Sequence, residues 1–366
     1  MTRILLTGIS GQLGSELQQT LAPLDTAGEL EKPNPPAPFP AREGGAAREG
    51  GASKPLQIKK DIPLPSPGRR GLGRGLGRGL GRGLTPQLMT SSIPLGEVMG
   101  VDRQGLDLTQ PDKIRQVIGE FKPDVIVNAA AYTAVDKAET ETERANAING
   151  TAPTIMAEAA QQLGAALIHV STDYIFDGKK NTPYTEDDTP DPINAYGQSK
   201  LLGEEGVLKN CDRAIILRTA WVYGAQGKGN FVKTMLRLGA EREELRVVVD
   251  QVGTPTWTGD LASAIAQLAQ SLKSDTLTGI YHFTNSGAIS WYDFAVAIFE
   301  EAQQIGFPLQ VKQVVPITTA EYPTAAARPA YSVLSSQKIS AVLGNHPPHW
   351  RTGLRRMLKQ LYDQKH

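Results

Sequence analysis

Three side chains in the middle of the sequence have the types needed to act on a carbonyl: Thr172, Tyr196 and Lys200. Tyr196 and Lys200 stand four apart in Asn194-Ala-Tyr-Gly-Gln-Ser-Lys200, a spacing that puts two side chains on one helix face. An ammonium beside a phenol favours the phenolate, so the pair reads as a tyrosine able to pass a proton to or from a substrate oxygen near neutral pH. Thr172 follows the apolar run Ala166-Leu-Ile-His-Val170, which places its hydroxyl at the carboxyl end of a strand, where it would hold that oxygen. Upstream, the glycine turn Gly8-Ile-Ser-Gly11-Gln-Leu-Gly14 follows strand-like Arg3–Thr7 and precedes helix-like Gln12–Leu21, the setting a phosphate-binding turn requires. Tyr-x-x-x-Lys alone is weak, because ten tyrosines generate it readily by composition. Order and context carry the reading: carbonyl–alcohol redox chemistry with a nicotinamide cofactor.

The elements that must position these groups alternate. Glu97–Val101 predicts a second strand, Gln110–Phe121 a helix, and Asp124–Asn128 a buried strand. Glu143–Leu163 reads as one long helix, Asn194–Leu208 as the Tyr/Lys helix, and Arg213–Leu217 as another buried strand. Such alternation predicts an α/β fold, a Rossmann-type doubly wound parallel sheet with helices on both faces. Beyond Trp221 the pattern shifts to scattered helices (Asn230–Ala240, Thr258–Leu272, Ser290–Glu301, Thr352–Tyr362) and short strands, which suits a smaller, discontinuous C-terminal substrate lobe. Tyr281-His-Phe283 still reads as a strand of the main sheet. The expected division is 1–24 and 95–220 for the dinucleotide-binding domain, with returning segments near 257–285. The substrate lobe takes 221–256 and 286–366.

Between the two parts of the first domain lies 25–94, which contains Ala-Arg-Glu-Gly-Gly-Ala twice, from Ala41 and from Ala47, and then repeats Gly-Leu-Gly-Arg from Gly71 to Leu84. About a third of it is glycine or proline, a composition that builds no packed core and predicts disorder. It carries about +5 charges, so the neutrality of the whole chain is a cancellation. A basic tether is one reading. The favoured one is an insertion tolerated in a surface loop, because added loop length costs little closure entropy. Removing it leaves about 296 residues for the folded body.

Lys plus Arg and Asp plus Glu both number 38, and nothing global argues for nucleic acid or an anionic membrane. The single cysteine, Cys211, excludes an internal disulfide framework and suits a reducing compartment. The sequence enters a strand at once, which leaves no room for a signal peptide, and no apolar run reaches the roughly 18 residues of a membrane span. A cytoplasmic protein is expected. His346-Pro-Pro-His349 reads as a proline-rich loop rather than a metal site, since the prolines forbid a helical ligand face.

In the glycine turn, Gly8 permits the tight bend, Gly11 the approach of backbone to a pyrophosphate, and Gly14 close helix–strand packing. Ser10, Gln12 and Leu13 belong to the same turn. Asp102 and Arg103 after the second strand read the ribose in opposite senses, an Asp accepting from a 2′-hydroxyl and an Arg pairing a 2′-phosphate. The balance leans to NADPH, with NADH as the alternative. Asp107 and Leu108 are placed to line the adenine.

The Gly-x-x-Gly-x-x-Gly spacing, with Asn128-Ala-Ala-Ala131 after the third strand, resembles the short-chain dehydrogenase/reductase superfamily. Ser171-Thr-Asp-Tyr-Ile-Phe-Asp-Gly178, Asn194–Lys200, Arg218-Thr-Ala-Trp-Val-Tyr223 and Gln251-Val-Gly-Thr-Pro-Thr256 closely resemble the dTDP-4-dehydrorhamnose reductase family, as do Ala131-Tyr-Thr-Ala-Val-Asp136 and Arg328-Pro-Ala-Tyr-Ser332. The resemblance spans the chain apart from 25–94. It implies reduction of the C4 keto group of dTDP-4-dehydro-6-deoxy-L-mannose to dTDP-L-rhamnose, with the dTDP-sugar as substrate. It implies Tyr196 as the acid at the C4 oxygen, Lys200 holding the nicotinamide ribose and lowering the tyrosine pKa, and Thr172 orienting the carbonyl. Ala129, Ala130 and Tyr132 would border the cofactor. Val135, Asp173, Trp221, Tyr223, Asn230, Gly253, Pro255 and Thr256 would shape the substrate side, and Arg328 would take the diphosphate in its fixed fork. For Trp221 and Tyr223, packing under the smaller lobe is the competing reading. Members of this family have been described with Mg2+ at a homodimer contact through an acid of the first helix, a place Glu16 occupies. The segment 25–94 follows that helix and would alter or block such a dimer.

The rival enzymes are sugar-nucleotide dehydratases and epimerases, and reductases of another nucleotide-linked 4-keto-6-deoxy sugar. The resemblance gives dehydratases an Asp-Glu after the threonine, whereas Asp173 here precedes Tyr174, which argues against dehydration. A rival outside catalysis is a regulator resembling the regulatory subunit of methionine adenosyltransferase. Such a chain need not keep Thr172, Tyr196 and Lys200 together, and a Tyr196 turned from the cleft would favour it.

Overall fold

The computed structural model describes residues 2–21, 96–272 and 277–364. The expected disorder of 25–94 lies outside the described residues. The first half runs β1 (Ile4–Thr7), α1 (Gln12–Leu21), β2 (Val98–Val101), α2 (Pro111–Phe121) and β3 (Val125–Asn128). Short helices α3 (Val135–Ala138) and α4 (Thr142–Asn146) lead through a π turn (Ala147–Thr151) into α5 (Ala152–Leu163). Then come β4 (Ala166–Thr172), α6 (Ala195–Asn210), β5 (Ala214–Thr219) and β6 (Val222–Tyr223). The remainder comprises α7 (Phe231–Glu241), β7 (Glu244–Val248), β8 (Val252–Gly253), β9 (Thr256–Trp257), α8 (Thr258–Ser271), β10 (Gly279–His282), β11 (Ile289–Ser290), α9 (Trp291–Gln304), β12 (Gln313–Ile317), α10 (Gln337–Leu343) and α11 (Trp350–Asp363).

Six strands form a wholly parallel sheet in the order β2-β1-β3-β4-β5-β10. The strands are short apolar runs because both faces are covered. Their side chains alternate: Ile4, Leu6, Val125, Val127, Ile168 and Leu217 meet one hydrophobic cluster, and Leu5, Ile126, Leu167 and Ile216 the other. The first cluster is closed by Leu13, Leu17 and Leu21 of α1, a four-residue repeat along one face, against Leu261, Ile265 and Leu268 of α8. The second is closed by Ile114, Val117 and Ile118 of α2 and Ile155 and Met156 of α5. Because the chain goes from β1 to one side and returns to β3 on the other, the switch point opens beyond the carboxyl ends of β1 and β3.

The expected helix Glu143–Leu163 is not continuous. Pro153 has no N–H to give the Asn149 carbonyl, and the helix opens into the π turn at that point. The turn buries the Asn149 side chain, whose Oδ1 accepts from the Tyr132 N–H at 2.8 Å. Its Nδ2 donates to the Tyr132 carbonyl at 3.0 Å and to Ser199 Oγ at 2.9 Å. Tyr281 and His282 join the sheet as expected, pairing with Leu217 and Arg218.

A third hydrophobic cluster joins α7, α9 and α11 through Val232, Met235, Phe294, Ile298, Trp350, Leu354 and Leu358. Asn230 caps α7 by accepting from the Lys233 N–H, and Ser290 and Asp293 form a reciprocal cap on α9. No helix among the described residues is long and apolar enough to cross a membrane.

Candidate active site

A cavity of about 880 Å³ lies at the switch point, lined by the glycine turn, the carboxyl ends of β3, β4 and β5, and the start of α6. Gly8 bends there at φ +80° beside the Ala129–Ala130 backbone, and a Cβ on Gly14 would fall on the Gly8 carbonyl. The turn therefore sets the N-terminus of α1 facing the cavity, an arrangement of N–H groups suited to phosphate. Ser10, Gly11, Gln12, Leu13, Ala129, Ala130 and Tyr132 line it. Gln12 also ties the turn to the second half of the chain, donating to the Val222 carbonyl at 2.9 Å and accepting from Asn230 at 3.1 Å.

Asp102, Arg103, Asp107 and Leu108 line the same cavity. Asp102 Oδ1 already accepts from the N–H groups of Gln104 and Gly105, at 3.0 and 3.1 Å. Arg103 is exposed and makes no ion pair among the described residues. Asp107 turns to Thr109, whose N–H and hydroxyl hold its carboxyl below the usual range.

Thr172, Tyr196 and Lys200 converge on the cavity. Thr172 is the last residue of β4, donates to Asp173 Oδ1 at 3.1 Å, and accepts from the Tyr174 N–H at 3.2 Å. Asn194 caps α6 by accepting from the Gly197 N–H at 2.7 Å, so Tyr196 lies in the first turn and Lys200 one turn later. Burial pushes the Tyr196 phenol up to about 12, opposed by the neighbouring Thr172 hydroxyl and reinforced by Asp173. Lys200 is not among the groups that shift it. The Lys200 amine instead donates to the Val170 carbonyl at 2.8 Å and lies 3.2 Å from His169 Nε2. Burial pulls Lys200 itself down to about 8, against the attraction of Glu204. Desolvation raises Asp173 to about 6.

The substrate-side residues divide. Val135, Asp173 and Trp221 line the cavity. Tyr223 does not: it is 1 % exposed in the third hydrophobic cluster and donates its hydroxyl to the Trp350 carbonyl at 3.2 Å. Its packing reading is the one realised. Asn230 is a helix cap that donates to Gln12 and to the Gly224 carbonyl, outside the lining. Gly253, Pro255 and Thr256 are buried behind the lining, and a Cβ on Gly253 would strike the Trp221 indole. Arg328 is also outside the lining, its fork already closed on Asp136 at 3.1 and 2.9 Å. A diphosphate would have to share or displace that carboxylate.

Glu16 is half-buried and accepts from Thr258 at 3.4 Å. Among the described residues no group of three His, Cys, Asp or Glu is placed to hold a metal, so Glu16 belongs to no set there that fits Mg2+. His346 and His349 are likewise in no such group, and His349 caps α11. The cavity does fit a dinucleotide. Besides the glycine turn, the buried hydroxyls of Ser171 and Thr219 and Oδ2 of Asp173 line it without a hydrogen-bond partner among the described residues. His169 and Asn149, neither singled out in the sequence, support the site from behind.

Residues 73–363 match the family model described as RmlD substrate binding domain. The chain is 47% identical over 261 residues to a dTDP-4-dehydrorhamnose reductase of Aggregatibacter actinomycetemcomitans, covering 71% of this chain and 88% of the relative. It is 41% identical over 281 residues to that of Escherichia coli K12, covering 75% and 94%. Among solved structures, the Bacillus anthracis dTDP-4-dehydrorhamnose reductase in complex with NADP aligns with a TM-score of 0.73 at 33% identity, over 98% of this chain and 100% of the other.

Proposed function

The chain belongs to the RmlD family, and from that premise we propose that it reduces the C4 ketone of dTDP-4-dehydro-6-deoxy-L-mannose to dTDP-L-rhamnose with NADPH, the last step of dTDP-rhamnose biosynthesis. The observation that carries the reading is the convergence of Thr172, Tyr196 and Lys200 on the cavity that the glycine turn borders. Bound NADPH supplies the hydride that adds to C4. Tyr196 donates its phenolic proton to the C4 oxygen, and a phenol held protonated by burial is in the right state to do so. The Thr172 hydroxyl would hold that oxygen, and Lys200 would hold the nicotinamide ribose. Arg103 favours NADPH, because its guanidinium makes no ion pair among the described residues while Asp102 is tied to its own turn. Trp221, Val135 and Asp173 form the sugar side.

The same reading divides the chain into a cofactor domain, 1–24 and 95–220 with returning segments near 257–285, and a substrate lobe, 221–256 and 286–366. The separate hydrophobic cluster of α7, α9 and α11 supports the division. A cytoplasmic location belongs with it, since NADPH is an intracellular reductant and Cys211 is a buried free thiol.

The test is loss of NADPH absorbance with dTDP-4-dehydro-6-deoxy-L-mannose, comparing the native chain with Tyr196→Phe. Turnover that falls at least a hundredfold in the variant is expected. No turnover with NADPH or NADH by folded protein would sink the proposal.

A further inference from the structure

Neither the glycine turn Gly8–Gly14 nor α1 behind it contains a lysine or an arginine. The N–H groups of the turn suit a pyrophosphate, but they leave its negative charge without a cation. The basic side chains that line the cavity are Arg103, Arg144, Lys200 and Lys228. Arg103 follows β2, at the ribose end. Arg144 is paired with Glu141 at 3.1 Å, and Lys200 is buried and donates to the Val170 carbonyl at 2.8 Å. Lys228 is exposed and makes no hydrogen bond or ion pair among the described residues.

Lys228 reaches the turn because its loop, which joins β6 to α7, is fastened there. Gly227 has a φ of +75°, and a Cβ on it would stand 2.9 Å from the Gln12 backbone nitrogen. Loop and turn therefore meet backbone to backbone, an approach that only glycine permits. Gln12 holds both ends of the loop: it donates to the Val222 carbonyl just before it and accepts from Asn230 just after it. Lys233 of α7 spends its ammonium on the loop itself, donating to the carbonyls of Gln226 at 3.3 Å and Gly227 at 2.9 Å. Lys228 follows Gly227, its Cα about 3.8 Å further along the chain, and carries its charge on a flexible four-carbon stem.

We propose that Lys228 is a cofactor-binding residue, whose ammonium comes from the second half of the chain to pair with the pyrophosphate of the bound dinucleotide. The glycine turn orients the pyrophosphate, and Lys228 neutralises it. A sugar nucleotide carries a diphosphate as well. The contact of Gly227 with Gln12, whose N–H is the first of α1, favours the cofactor's. NADPH and NADH share the pyrophosphate, so Lys228 acts on both alike, whereas Arg103 would read the 2′-phosphate. With the orienting N–H groups on one half of the chain and the cation on the other, the dinucleotide bridges the two.

The inference rests on the dinucleotide reading of the cavity and not on the identity of the sugar. The test is equilibrium titration of the full chain with NADPH and NADH, followed by nicotinamide fluorescence, at low and high salt. It compares the native chain with Lys228→Gln and Lys228→Arg. Lys228→Gln is expected to raise Kd about tenfold for both cofactors, and Lys228→Arg to restore most of the loss. The gap between native and Lys228→Gln should narrow at high salt. Calorimetric Kd values for adenosine 2′-monophosphate, which has no pyrophosphate, and for dTDP should stay within about twofold. The position is exposed, so neither variant should move the melting temperature. A change below about twofold with both dinucleotides, or an equal loss with adenosine 2′-monophosphate, overturns the proposal. A loss that falls on dTDP and spares the dinucleotides reassigns Lys228 to the sugar nucleotide and overturns it too. A native chain that shows the expected dependence without turnover supports the proposal and counts only against the proposed reduction.

Discussion

Trp221 lies flat on Trp291, with ring centroids 3.4 Å apart and planes 7° from parallel, and it does so at a backbone φ of +46°. A left-handed conformation costs a bulky residue about 1–2 kcal/mol, so the stack holds the indole where the local chain would not put it. Both rings line the cavity. Trp221→Gly removes the ring and the strain together. It should raise KM for the sugar nucleotide about tenfold while lowering the melting temperature less than Trp291→Ala does. An unchanged KM would make the pair packing alone.

Asp173 is 2 % exposed and its carboxyl is raised to about 6 by desolvation. A raised carboxyl binds more protons folded than unfolded between its two pKa values, so its contribution is present at low pH and lost as pH rises from about 4 to about 6. At pH 7 the ionised group then opposes folding by up to about 3 kcal/mol. Asp173→Asn is therefore expected to melt higher than the native chain at pH 8, with the gain shrinking by pH 4, and to lose activity. Thermal melts across that range and a single turnover assay check both halves. A variant that melts lower at pH 8 would mean that hydrogen bonding outweighs desolvation at this site.

The sheet was legible because β1, β3 and β4 are apolar runs that only burial on both faces explains, and α6 was legible from the four-residue spacing of Tyr196 and Lys200. The same logic misjudged what lies between. Trp221 and Tyr223, two apart, should share a face, but positive φ at Trp221 breaks the alternation and sends one ring to the cavity and the other into the core. The π turn leaves helical periodicity intact on both sides, so nothing local marks it except Pro153. His169 passed as one residue of a strand, because its partners Asn128 and Lys200 are 41 and 31 residues away. Arg328 finds Asp136 across 192 residues, a distance over which sequence spacing carries no signal.

Asn149 holds both backbone groups of Tyr132 and the Ser199 hydroxyl with one side chain. Asn149→Ala leaves buried donors and acceptors unpaired, at about 1–3 kcal/mol each. The expected loss is about 3 kcal/mol of stability, measured by urea unfolding at unchanged slope. Because Tyr132 lines the cavity, KM for NADPH should rise as well. Asn149→Asp keeps one acceptor and should recover part of the stability. A loss below about 0.5 kcal/mol in the alanine variant would show that the π turn is held by Pro153 alone.

Arg103 is placed to decide the cofactor, lining the cavity beside Asp102. Asp102 spends Oδ1 on two backbone N–H groups, whereas the Arg103 guanidinium is held by no ion pair among the described residues. A 2′-phosphate gives that guanidinium a charge-assisted partner, and a 2′-hydroxyl does not. Arg103→Ala should therefore raise KM for NADPH about tenfold or more while changing KM for NADH by less than about twofold. The stability of this exposed position should move by no more than about 0.5 kcal/mol. Measuring kcat/KM for both cofactors in the native chain and the variant separates the cases. Equal losses with both cofactors would move the discrimination to Asp102, and an NADH preference in the native chain would reverse the assignment.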